Sequence, residues 1–184
     1  MSISKNERIL LVVRYIATGG SENLEWLYEF SEFAAMTIVN AELTQKYSRI
    51  IKLEGAQATE NNFIQKFSEV GADEAIKAID VIIILHGSED KLSFYEGKVP
   101  AARLKYKLSC LNVRRQLRLL YSTACYGATH ADDFVAAGFD TASGSLAVNA
   151  NGAIEFPIVV DALADGSTHK KGIQDGSIGL EEQD

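Results

Sequence analysis

Short apolar runs alternate with amphipathic stretches along this chain. Ile9 to Val13 is apolar at every position, which predicts a strand covered on both faces. Gly19-Gly20 then breaks the pattern, and Ser21 is a suitable cap for a helix. Leu24, Leu27, Tyr28, Ala34, Ala35 and Ile38 recur at helical spacing, predicting a long helix over 22–47. Ile50 to Leu53 predicts a short strand. Thr59 is placed to cap the next helix, in which Phe63, Phe67 and Val70 share a face. Val81 to Leu85 is an unbroken branched apolar run and predicts a central buried strand ending at His86-Gly87. Leu92 to Val99 predicts a hairpin around Glu96-Gly97. A polar, weakly helical segment leads to a further buried strand, Leu117 to Tyr121. Thr129 and Asp132 mark the start of a helix through Ala137. Phe139 to Val148 predicts a strand interrupted by Gly144. Pro157 stands near the start of a last helix to about Leu163.

Strands and helices alternate, so the pattern predicts an α/β domain. Its sheet is mostly parallel, with helices on both faces in three layers. The chain has 184 residues, 47% hydrophobic and 23% charged, enough for a single core. We assign the domain to residues 1–166 and a polar tail to 167–184.

Charge and composition remove several functions. The formal net charge is −7, which argues against a nucleic-acid partner, since that requires many phosphate-neutralising cations. The basic run from Arg103 to Arg118 is short and interleaved with Leu, as in a solvated helix face or loop. The apolar stretch of "MSISKNERILLVVRYI" is too short to span a bilayer and contains Arg14, and no other stretch approaches that length, so no membrane association is expected. Two cysteines without framework spacing point to a reducing, cytoplasmic compartment. No His, Cys and carboxylate grouping has metal-ligand spacing, and no cofactor motif is present.

Active sites in such sheets lie beyond the carboxyl ends of the strands. Two strands here end in reactive residues, one in His86-Gly87 and the other in "YSTACYG", which contains Cys125. Cys125 stands just before a helix start, where partial positive charge favours thiolate. His86 is suited to giving a proton to a leaving amine. Gly87 and Cys125 offer backbone N–H groups for an oxyanion. His130 is a rival base on the first helical turn after Cys125, facing solvent or the crevice, and His169 lies in the polar tail. A buried structural cysteine is the alternative for Cys125.

These residues resemble the caspase-like (clan CD) cysteine peptidases, in which one hydrophobic strand ends in His-Gly and another in Ala-Cys with Gly close behind. The later segments "LLYSTACYG", "FVAAGFDTASGSLAVNANG" and "VVDALADGST" are most similar to the bacterial CHAT-type domains. The resemblance implies a caspase-like three-layer sandwich and a cysteine endopeptidase with a His86–Cys125 dyad and an acyl-enzyme. Its partners would be a protein or peptide substrate and an activating protein. Caspases carry Gln, and metacaspases Asp, where this chain has Thr123, so neither substrate preference is implied. Where CHAT domains have Trp and then acidic residues, this chain has Ala147, Asn149 and Asn151. Asn149, Asn151 and Glu89 are the candidate substrate-binding residues, against readings as a polar turn and a solvated loop carboxylate. A catalytically weak binding or regulatory module is the alternative function. A glutaminase is a third, disfavoured because Thr123 stands where its nucleophile elbow has Gly.

Overall fold

The structure is a computed structural model, and it describes residues 3–16, 36–37, 39–144 and 160. Contacts divide the chain into two units, Met1–Ala17 with Tyr47–Asn149 and Thr18–Lys46 with Ala150–Asp184.

In the first unit the apolar runs form the expected strands, which we number β1 (Arg8–Tyr15), β2 (Arg49–Glu54), β3 (Ala78–Ser88), β4 (Lys91–Phe94), β5 (Gly97–Pro100), β6 (Leu117–Ser122) and β7 (Thr141–Gly144). β2, β1, β3, β6 and β7 lie side by side in that order, all parallel. Residues on both faces of the central strands are buried: Leu11, Val13, Val81 and Ile83 on one, Leu10, Val12, Ile82 and Ile84 on the other. This accounts for their lack of polar alternation.

Three helices of this unit, α1 (Glu60–Gly71), α2 (Ala101–Ser109) and α3 (Gly127–Ala137), connect the strands. Thr59 caps α1 as expected, its hydroxyl oxygen accepting from the Asn62 N–H at 3.1 Å. Phe63, Phe67 and Val70 of α1, Leu104 and Leu108 of α2, and Phe134 and Ala137 of α3 join one core with Ile79, Val81, Ile83 and Leu85 of β3. The phenyl rings of Phe63 and Phe67 meet edge to face, 5.0 Å between centroids. The basic residues of α2 are used within the fold. Arg103 and Lys107, one turn apart, both bond Glu60, at 2.7 and 2.9 Å, and Lys105 pairs with Asp133 of α3. The solvated face expected there is therefore partly an ion-paired helix contact.

Two of the boundaries that differ from expectation adjoin the residues singled out in the sequence. β3 does not stop at His86-Gly87. Its parallel part gives way to an arm, His86 to Ser88, that pairs antiparallel with Lys91 to Ser93. The β4–β5 hairpin continues from it around Tyr95-Glu96. The α3 helix begins at Gly127, two residues before Thr129, and has no side-chain cap; Tyr126 precedes it at φ 57°.

In the second unit, Val39–Leu43 is a π-helical turn. The Lys46 N–H donates to the Leu43 carbonyl at 2.9 Å, turning the chain before residue 47. The expected 22–47 helix does not reach its predicted end, because residues 44–47 form a turn and bend; its residues before 39, the 157–163 helix and the expected strand beyond Gly144 lie outside the described residues, apart from Met36, Thr37 and Val160. Among the described residues no helix is long and apolar enough to cross a membrane.

Candidate active site

β3 and β6 are adjacent and parallel, Ile82 standing opposite Tyr121 and Ile83 opposite Ser122. Both strands therefore deliver their carboxyl ends to one edge of the sheet. Beyond Ser122 the chain stays attached to β3: the Thr123 N–H donates to the Ile83 carbonyl at 2.9 Å, and the Thr123 hydroxyl to the same oxygen at 3.2 Å. The side chain at this position thus serves the strand end. Ala124 is buried, its N–H 3.3 Å from the Ser122 hydroxyl. Cys125 follows, then Tyr126 in the left-handed region, then a Gly127 N–H bond to the Ala124 carbonyl at 3.0 Å. A left-handed backbone is unfavourable for a bulky residue. Here it turns the chain sharply from Cys125 into α3.

Gly87 is in close contact with this turn. A Cβ built on it would stand 2.2 Å from the Cys125 carbonyl oxygen and 3.0 Å from the Ala124 Cβ. The lack of a side chain at Gly87 is what permits the two chain segments to meet. His86, Gly87 and Cys125 are each partly exposed. The structure therefore brings the His-Gly arm and the cysteine turn together at one sheet edge. Neither cysteine forms a disulfide; Cys110 is exposed and Cys125 partly buried.

Glu89 is exposed at the β3–β4 turn, next to Asp90 at φ 57°. Asn149, Asn151 and His169 lie outside the described residues. His130 is corrected from the expected solvent or crevice position: it is 0% exposed, with Nε2 2.9 Å from the Ser88 carbonyl oxygen. Its signal in the sequence was the spacing His130, Phe134, Ala137, which sets all three on the buried stripe of one helix.

Two features escaped the sequence reading. Tyr15, at the carboxyl end of β1, packs edge-on to the half-exposed Tyr95, 5.3 Å between ring centroids. A groove of about 670 Å³ lies at the opposite, amino end of β3 and β6, between Glu74, Lys77, Arg114 and Gln116; it contains neither His86 nor Cys125. Among the described residues no three His, Cys, Asp or Glu side chains gather as metal ligands do.

No family model and no curated protein matches the chain. Solved structures do. A secreted C11 cysteine protease from Bacteroides thetaiotaomicron, solved with an irreversible peptide inhibitor, is similar over 97% of this chain, with 13% identity and a TM-score of 0.63. Caspase-1 from Spodoptera frugiperda is similar over 67% of the chain, with 10% identity and a TM-score of 0.49. The chain spans 59% of the length of the former and 49% of the latter. The α/β fold, with its mostly parallel central sheet and helices, is thus shared with a cysteine protease.

Proposed function

We propose that this chain is a cysteine endopeptidase acting through Cys125 and His86. The observation that carries the reading is the contact of Gly87 with the Cys125 backbone. It puts a side-chain-free segment, preceded by a histidine, against the one cysteine that immediately precedes a helix after a buried strand. The caspase-like fold and the CHAT-type pattern of the sequence support the same reading.

In this mechanism the Cys125 thiol gives its proton to His86, and its sulfur attacks the carbonyl carbon of the scissile bond. The S–C bond forms as the carbonyl π pair moves onto oxygen. The Gly87 and Cys125 N–H groups stabilise that oxyanion. Collapse breaks the C–N bond while His86 returns the proton to the departing amine. Water then adds to the thioester carbonyl while His86 takes its proton; the C–S bond breaks, His86 passes that proton to the sulfur, and the new carboxyl end leaves. Glu89, on the turn three residues past His86, together with Asn149 and Asn151, contacts the substrate side chains. A protein partner supplies activation.

The test is covalent labelling with a peptidyl electrophile, read by mass spectrometry. An adduct is expected on Cys125, absent in Cys125→Ala and slower in His86→Ala. Cys110 is the built-in control, because it is the more exposed thiol. Labelling confined to Cys110 would sink the proposal and favour a binding module on the same fold.

A further inference from the structure

The geometry points to His130 as a positioning residue that holds the His86-Gly87 arm against the Cys125 turn. This inference rests on the peptidase reading for its consequence, though its structural basis does not. The first turn of α3 grips the end of the arm and the turn that follows it. His130 Nε2 lies 2.9 Å from the Ser88 carbonyl oxygen, and the Asp90 N–H donates to the Thr129 hydroxyl oxygen at 3.1 Å. That hydroxyl in turn donates to the Tyr126 carbonyl at 2.8 Å. The helical turn that begins two residues after Cys125 therefore also holds the chain one residue past Gly87.

A carbonyl oxygen can only accept, so Nε2 carries the proton. In the neutral ring Nδ1 is then a bare acceptor. It is buried and, among the described residues, has no hydrogen-bond partner. Leaving a polar atom unsatisfied in the core is unfavourable. An apolar side chain would fill this position, on the stripe of Phe134 and Ala137, without that penalty. What the imidazole supplies, and a hydrocarbon cannot, is the bond to Ser88. Small displacements matter here, because the oxyanion site depends on the Gly87 and Cys125 N–H groups being aligned with one another. The same geometry removes His130 as the rival base: Nε2 is committed to Ser88 and the whole ring is out of solvent.

The test compares His130→Leu, which keeps apolar volume and removes the donor, with His130→Gln, which restores an N–H at similar reach. Amide hydrogen exchange across Ser88 to Lys91 should quicken about 10-fold or more in His130→Leu and return towards wild type in His130→Gln, with β1 and β6 unchanged. Cys125 labelling by a peptidyl electrophile should slow about 10-fold in His130→Leu and recover in His130→Gln, while alkylation by iodoacetamide stays within about 3-fold. Equal effects of Leu and Gln, or wild-type exchange in His130→Leu, would overturn the role. If the wild-type protein resists every peptidyl electrophile, the peptidase reading fails and the exchange experiment still decides the positioning role. Nitrogen NMR of the wild-type imidazole decides it without any variant: an Nε2–H tautomer supports the inference, and a bare Nε2 with protonated Nδ1 refutes it.

Discussion

Gly87 and Cys125 approach so closely that one methyl group cannot be placed between them: a Cβ on Gly87 would sit 2.2 Å from the Cys125 carbonyl oxygen. The obstacle is backbone, so Gly87→Ala must push the arm and the cysteine turn apart. We expect the second-order rate of Cys125 labelling by a peptidyl electrophile to fall about 100-fold or more, the scale of a lost oxyanion donor. Overpacking should also cost about 1–3 kcal/mol in urea unfolding. A folded Gly87→Ala protein labelled at the wild-type rate would remove Gly87 from the site.

Gly144 closes the other side of the same turn. A Cβ there would lie 2.7 Å from the Gly127 Cα and 3.0 Å from the Ser122 carbonyl oxygen, again backbone atoms. Gly144→Ala should therefore cost about 1–3 kcal/mol and also slow Cys125 labelling, because Gly127 starts the helix that follows the cysteine. Gly55→Ala is the matched control. It has open space around it but φ +53°, so it should cost about 1–2 kcal/mol from backbone strain alone and leave labelling untouched. Equal labelling loss in both variants would show that global stability, not the local contact, governs the thiol.

The strands were legible because burial on both faces leaves unbroken apolar runs, as in Val81 to Leu85. The chemistry expected at the ends of β3 and β6 required the two strands to be neighbours, which their sequences do not state and the register shows. Other features were illegible for identifiable reasons. His86 to Ser88 has no strand-forming composition, and its extension comes from pairing with Lys91 to Ser93, a tertiary effect that local propensity does not contain. The start of α3 is set by a left-handed Tyr126 rather than by a capping side chain, so the Thr129 signal misplaced it by two residues. Asp80 borders the apolar run of β3 and Arg118 interrupts that of β6. Each looks like an imperfection until the register puts the two strands side by side.

Asp80 is 0% exposed and accepts from Arg118 at both carboxylate oxygens, the Nε bond measuring 2.8 Å. The Tyr47 hydroxyl donates to the same carboxylate at 2.8 Å. Burial disfavours the Arg118 charge, but the bonds to Asp80 outweigh it and hold the guanidinium above its ordinary value. Arg118→Met leaves a buried carboxylate with one donor and should cost about 3 kcal/mol, the low end of the usual range because Arg118 keeps part of its side chain in solvent. Adding Asp80→Leu should recover much of that loss, since an apolar pair carries no desolvation penalty. A double variant no more stable than Arg118→Met, measured by urea denaturation, would show that the pair contributes more than mutual compensation.

Tyr47 makes the same cluster sensitive to alkali. Its burial, then the charge of Asp80 and the bond to it, raise the phenol pKa well above its ordinary value of 10.0. The Arg8 guanidinium lies over the ring, 5.3 Å from its centroid. A raised folded-state pKa means that the native protein keeps the phenolic proton after the unfolded chain has released it. The stabilisation is therefore complete below about pH 10 and is lost as pH rises above it. Tyr47→Phe removes the titration together with the hydrogen bond. At pH 8 it should be less stable by about 1 kcal/mol. Between pH 10 and 12 its urea midpoint should fall less steeply than that of the wild type, so the gap between the two narrows. Parallel slopes through that window would mean that the phenol ionises in the native state as readily as in the unfolded chain, and would place Tyr47 outside the Asp80–Arg118 cluster in solution.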